Sequence, residues 1–153
     1  MQLARFVAEP EPLAATLTAN PGEASGLRYK LPEQGYTIRE VRGAKMRTVA
    51  GVFDEFAAAF QFPYYFGENK DAFDDCMRDL PELVGTANGY VVVVRDADQL
   101  LANEPDELPW LISALHDAAR YGVSVVLLTE PPKKAEVDSK WKSAGIEPVS
   151  LEL

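Results

Sequence analysis

The side chains best placed to do chemistry are aspartates. Asp71, Asp74, Asp75 and Asp79 recur at helical spacing within YYFGENKDAFDDCMRDL, residues 64–80. Such a cluster can hold a metal ion, serve a hydrolytic reaction, or bind a cationic partner. The metal reading fails on its surroundings. Asp74, Asp75 and Asp79 would hold magnesium only together with a diphosphate, and no basic phosphate-binding group lies near in sequence. Asp96, Asp98 and Glu107 match three positions of a calcium loop, but Leu100 and Leu101 stand where a ligand and the turn glycine belong. Hydrolysis would need a substrate pocket lined by Asp74 and Asp75, which a helix face does not supply.

Other catalytic groups are sparse. The single histidine, His116, neighbours Asp117 on an expected helix, where adjacent residues do not face each other. It reads as a surface histidine. Cys76 shares its helix face with Ala72 and Met77 and reads as a buried structural thiol. The chain contains no GxGxxG, P-loop or GxSxG motif. No catalytic residue, metal site or cofactor is therefore assigned, and the chain is not read as an enzyme.

Binding remains. At about 100° per residue, Ala72, Phe73, Cys76, Met77 and Leu80 share one side of the helix, with Asp71, Asp74, Asp75, Arg78 and Asp79 opposite. A solvated face of an ordinary amphipathic helix would look similar. Two details favour a binding face. Asp71–Asp75 and Asp75–Asp79 are like-charge pairs at i,i+4, each costing a few tenths of a kcal/mol, roughly, and only Asp74–Arg78 has the compensating sign. Aspartate is also a poor residue for a helix interior. The second detail is Tyr64-Tyr65-Phe66, just before Gly67. Aromatics beside charges are the composition of an interface hot spot, although at least one of the three is expected in the core.

The charge distribution agrees. The 153 residues carry a formal net charge of -9. Residues 1–47 hold seven bases against five acids, residues 48–130 four against fifteen, and residues 131–153 four of each. The excess acid thus lies in the middle. It argues against a nucleic-acid-binding surface, which needs a basic patch facing the phosphates, and suits a cationic partner. One cysteine excludes an intramolecular disulfide. The N-terminus has early acids and no long apolar core, so no signal peptide is read, and no apolar run approaches a membrane span. The cytoplasm is the expected compartment.

The elements that must position these residues form an α/β pattern. YTIREV, from Tyr36 to Val41, alternates as a strand. Thr48 is an expected N-cap for a helix with the stripe Val49, Val52, Phe53, Phe56, Ala57 and Phe60, stopped by Pro63. Asn69 is expected to cap the acidic helix and Pro81 to close it. Val91–Val94 and Val123–Leu128 are apolar at every position, as in strands buried on both faces. Between them runs a helix with the stripe Leu111, Ile112, Leu115 and Ala119, ended at Gly122. Residues 136–144 suggest a short helix and PVSLEL an edge strand. EPLAATLTAN reads as a short helix and GLRYKLP as a short strand, in a Pro- and Gly-containing N-terminal segment that looks more like an appendage than a core.

At Tyr65, Gly67-Glu68-Asn69, Asp71-Ala72 and Asp75-Cys76 the chain resembles the barstar family of intracellular ribonuclease inhibitors. The match is dense over the loop and helix and looser from Tyr36 to about Glu130. The resemblance implies a three-stranded parallel sheet flanked by helices over residues 36–130. Residues 1–35 would be an N-terminal extension without assigned structure. Residues 131–153 would be a C-terminal extension with a short helix and an edge strand. It implies inhibition by blockade, with the acidic helix and preceding loop filling the cationic active site of a basic secreted ribonuclease or related toxin. Asp75 would be the central anion, standing where the substrate phosphate goes. Asp71 would meet a second cation, Tyr65 would pack on the catalytic histidine, and Asp117 would reach a basic residue at the edge. Gly67 and Asn69 would shape the loop. Asp74 stands where the family has tryptophan, Phe66 where it has tyrosine, Lys70 where it has leucine and Asp117 where it has glutamate. Those departures leave open a basic partner that is not a nuclease, bound through the same face.

Overall fold

The computed structural model describes residues 1–9 and 11–153. In chain order the elements are α1 (Leu3–Ala8), β1 (Ala14–Thr18), α2 (Pro21–Ala24), α3 (Leu27–Glu33), β2 (Tyr36–Arg42), α4 (Val49–Phe60), α5 (Lys70–Arg78), α6 (Leu80–Val84), β3 (Gly89–Arg95), α7 (Leu108–Ala119), β4 (Val123–Thr129), α8 (Lys134–Ser143) and β5 (Val149–Ser150). Among the described residues the strands form one five-stranded sheet in the order β2-β3-β4-β1-β5, and every neighbouring pair is parallel. The α/β architecture is as expected, but five strands replace the expected three.

The two additional strands come from the two ends of the chain. β1 lies between β4 and β5, with Ala14–Thr18 in register with Val125–Thr129 and with Ala15 and Thr16 opposite Val149 and Ser150. The helix expected in EPLAATLTAN is therefore a strand. Alanine favours a helix in isolation, but this segment is short, and it is buried wherever β4 and β5 flank it. GLRYKLP is wrong in the opposite sense. Its apparent alternation is the i,i+4 spacing of Leu27 and Leu31, both buried on α3, with Tyr29 exposed between them. Rather than an appendage, the N-terminal segment supplies Phe6, Leu13, Leu17, Leu27 and Leu31 to the core.

The strands at the centre divide the core into two layers. Val91, Val93, Val126 and Leu128 face α1 and α3, whereas Val92, Val94, Val125 and Leu127 face α4, α5, α7 and α8. This is the alternation of a parallel sheet covered on both sides, and it accounts for strands with no polar face. The C-terminal helix α8 completes the second layer with Val137 and Trp141, each almost fully buried. Thr16 donates its hydroxyl hydrogen to Asp138 of α8, and Lys134 Nζ lies 2.6 Å from the other oxygen of that carboxylate.

The expected caps sit as anticipated. Thr48 accepts from Gly51 N–H, and Asn69 Oδ1 accepts from Ala72 N–H at 2.9 Å. Pro81 does not close the acidic helix. That helix ends at Arg78, and Pro81 lies in the first turn of α6, where a missing N–H costs no intrahelical hydrogen bond.

Candidate functional site, an acidic helix face with an aromatic loop

The loop before α5 is built by splitting its aromatics. α4 ends at Phe60, and the next residue, Gln61, has a φ of 55° that reverses the chain. Phe62 and Phe66 then turn inward, edge to face with ring centres 5.1 Å apart, and Phe66 also meets Phe53 at 5.7 Å. The two tyrosines turn outward. Tyr64 is fully exposed and Tyr65 is 74% exposed, packed edge to face at 5.6 Å. Large aromatics left in water beside charges are the kind of surface that binding buries. Gly67 keeps room for the cap, because a Cβ there would come within 2.9 Å of Asn69 Nδ2.

α5 anchors itself through Phe73 and Met77, both fully buried. Phe73 packs on Phe53, Phe56 and Phe62 of α4 and its following loop, and on Trp110 of α7. The apolar face is narrower than the helical wheel suggests. Ala72 and Cys76 are half-buried and line an open cleft, so Cys76 is not the buried thiol expected. Partial burial nevertheless pushes its thiol above the ordinary cysteine range, with Asp79 and Asp75 adding to the effect. That cleft, about 310 Å³, is walled by Pro63, Tyr65, Phe66, Ala72 and Leu83 and rimmed by Asp75, Asp79 and Glu82.

The carboxylates are not equivalent. Asp71, Asp75 and Asp117 are exposed. Asp74 is half-buried at the seam between α5 and α7, with Oδ1 buried and without a hydrogen-bond partner among the described residues. Its acid is raised above the usual carboxylate range, first by burial and then by the nearby charges of Asp117, Asp71 and Asp75, with Arg78 opposing. These electrostatic neighbours bring Asp117, expected from a distant part of the chain, into the same patch as the α5 acids. The pairing of Arg78 differs from the sequence reading. Its Nη2 pairs with Asp75, not Asp74. An i,i+3 partner on the exposed face is nearer to hand than a carboxylate turned into the seam.

Lys70, a cation inside this acidic surface, is neutralised within the molecule. Its Nζ lies 2.5 Å from Glu107 Oε2 and 5.1 Å from the centre of the Trp110 ring. Sequence reasoning missed Trp110. The available signal was its spacing of seven from Asp117, two helical turns, which puts both on the side of α7 that meets α5. His116 is exposed and contacts Glu11 at 2.9 Å, away from any nucleophile. Among the described residues no three His, Cys, Asp or Glu side chains converge as metal ligands would, and no helix is long and apolar enough to cross a membrane. Chemically, the face offers fixed negative charge, two exposed tyrosines and a cleft suited to a cationic side chain with an apolar stem.

Comparison with solved structures reports the fold alone. Cdc6p from Pyrobaculum aerophilum superposes with a TM-score of 0.60 at 18% identity, over 97% of this chain and 41% of that one. A Walker-type ATPase of Pyrococcus abyssi superposes at 0.58 with 12% identity, over 97% and 50%. The chain thus spans at most half the length of these proteins. No curated protein matches. A family model does: the one described as Barstar (barnase inhibitor) matches residues 36–130, from the first residue of β2 to the residue after β4, the acidic face included. The chain belongs to the barstar family.

Proposed function

We propose that this protein inhibits a basic ribonuclease by filling its active site with α5 and the loop before it. The observation that carries the proposal is that exposed Asp71, Asp75 and Asp117 all act electrostatically on Asp74, with exposed Tyr65 on the same cleft as Asp75, in a chain whose central segment holds all of the net negative charge. In this reading Asp75 takes the place of the substrate phosphate between cationic groups of the nuclease. Asp71 and Asp117 meet further cations on either side, and Tyr65 packs against the catalytic histidine. Gly67 and Asn69 hold the loop, and Asp74 adds charge behind Asp75. The family's established role as inhibitors supports a non-enzymatic function. The expected setting is the cytoplasm, where an inhibitor would protect its own cell.

The test is inhibition of microbial guanyl-specific ribonucleases, and of any toxin encoded beside this protein, in a titration repeated with Asp75→Ala. The substitution is expected to remove at least about 2 kcal/mol of binding, roughly 30-fold, mostly through faster dissociation. Binding is also expected to weaken as salt rises. Inhibition that survives Asp75→Ala would place the interface elsewhere. If no nuclease is inhibited, the same face belongs to a basic partner of another kind.

A further inference from the structure

Arg78 stands between two carboxylates that are in opposite states. Asp75, with 68% of its side chain exposed, is engaged by Arg78. Asp74, one turn back from Arg78, keeps a buried oxygen without a hydrogen-bond partner among the described residues. The ionisable groups facing Asp74 are Asp117, Asp71 and Asp75, all negative, and Arg78, the only cation among them. Arg78 also lies within electrostatic reach of Tyr121, which follows α7. One guanidinium thus serves the carboxylate that water could serve, while the carboxylate with one oxygen withdrawn from water has none.

We infer that Arg78 is a two-position side chain, holding Asp75 in the free protein and passing to Asp74 when a cationic group of the partner takes Asp75. The inference rests on the reading of this face as the inhibitory surface. An incoming cation repels the Arg78 guanidinium and removes its acceptor. At i,i+4, Asp74 lies within its reach. The move brings a cation onto the Asp74 carboxylate only in the complex, so the bound state gains a pairing that the free state lacks. It also makes Arg78 a specificity-determining residue. A partner must offer Asp75 more than one guanidinium does, which a cleft lined by several cations can do and an isolated lysine cannot. Asp74, out of place as a contact residue, is the acceptor that makes this exchange possible.

The hand-off is tested first in the free protein, by carboxyl carbon-13 NMR titration of wild type, Arg78→Gln, Asp75→Asn and the double variant. Arg78→Gln is expected to raise the Asp74 midpoint more in the Asp75→Asn background than in wild type, because there the guanidinium has moved onto Asp74. Equal rises in both backgrounds overturn the inference. The second arm uses barnase as the probe and reads dissociation. Asp74→Asn is expected to speed dissociation several-fold when Arg78 is present and to have a smaller effect in Arg78→Gln. Equal effects again overturn it. If barnase does not bind the wild-type chain, the ribonuclease reading fails for that enzyme, while the titration still decides whether Arg78 changes partner.

Discussion

Lys70 lies over the ring of Trp110 and is paired with Glu107, so the cation at the start of the acidic helix is held against α7 and the turn before it. The contact joins the two helices that carry the site, α5 and α7. Lys70→Ala should therefore act in two directions. Stability falls by roughly 0.5–1 kcal/mol, because both contacts are half exposed. Association with a cationic partner becomes faster at low salt, because Glu107 is released and the face gains negative charge. Denaturant titration checks the first effect and stopped-flow association at two ionic strengths the second. A slower association would mean that Lys70 itself contacts the partner.

Asp74 should make the protein more stable toward acid within a limited range. Its pKa in the folded state is raised, first by burial, so the native protein holds a proton that the unfolded chain has released. Stability therefore rises as pH falls through the folded value and stops rising below the ordinary carboxylate value. Above that window the ionised, partly unmatched carboxylate is a cost. Asp74→Asn should be more stable than wild type at neutral pH, by roughly half a kcal/mol, first because no charge is then partly buried and second because like-charge repulsion is relieved. The difference should disappear once the wild-type acid is protonated. Urea midpoints across the acid range give the comparison, and an unchanged difference would assign the effect to packing.

Glu55 should behave in the opposite way. Its carboxylate, mostly buried on α4, accepts from the Arg42 backbone N–H at 2.9 Å, from Nε at 2.9 Å and from Nη2 at 2.7 Å, tying α4 to the end of β2. The hydrogen bonds from Arg42 hold its acid below the ordinary range. That contribution is present above the unfolded carboxylate value and is lost as pH falls through the lower folded value. Glu55→Gln should cost about 1–2 kcal/mol at neutral pH, allowing for solvent around Arg42, and should make stability less sensitive to acid. A loss independent of pH would point to shape and not charge.

The parts of the molecule legible in the sequence are those specified locally. Thr48 and Asn69 cap their helices because a side-chain oxygen three residues before an orphan N–H is a short-range arrangement. Val91–Val94 declare a strand covered on both sides because no residue in the run could face water. β1 is not legible because its neighbours in the sheet, β4 and β5, lie more than a hundred residues away, and its alanines favour a helix when the segment is read alone. At the site, the wheel separated Phe73 and Met77 from Asp71 and Asp75. It could not place Asp74 at the seam with α7 or choose between Asp74 and Asp75 for Arg78. Both depend on where a second helix packs, which periodicity within the first helix does not record.

The C-terminal segment lies outside the residues matched to the family, yet Trp141 of α8 is 2% exposed within the same layer as Phe56, Phe73 and Leu115. If this segment is scaffold for the binding face, its loss should unfold that face. Trp141→Ala should cost about 3–5 kcal/mol, the usual range for emptying a buried aromatic site. Trp141→Phe should recover much of that, since a smaller ring still fills part of the volume. Both variants should lose inhibition only in proportion to the fraction unfolded, because Trp141 belongs to the core and not to the acidic surface. Chemical denaturation, combined with inhibition measured at a temperature where each variant is folded, separates the two effects. A folded Trp141→Phe protein that inhibits no ribonuclease bound by wild type would assign α8 a direct part in recognition.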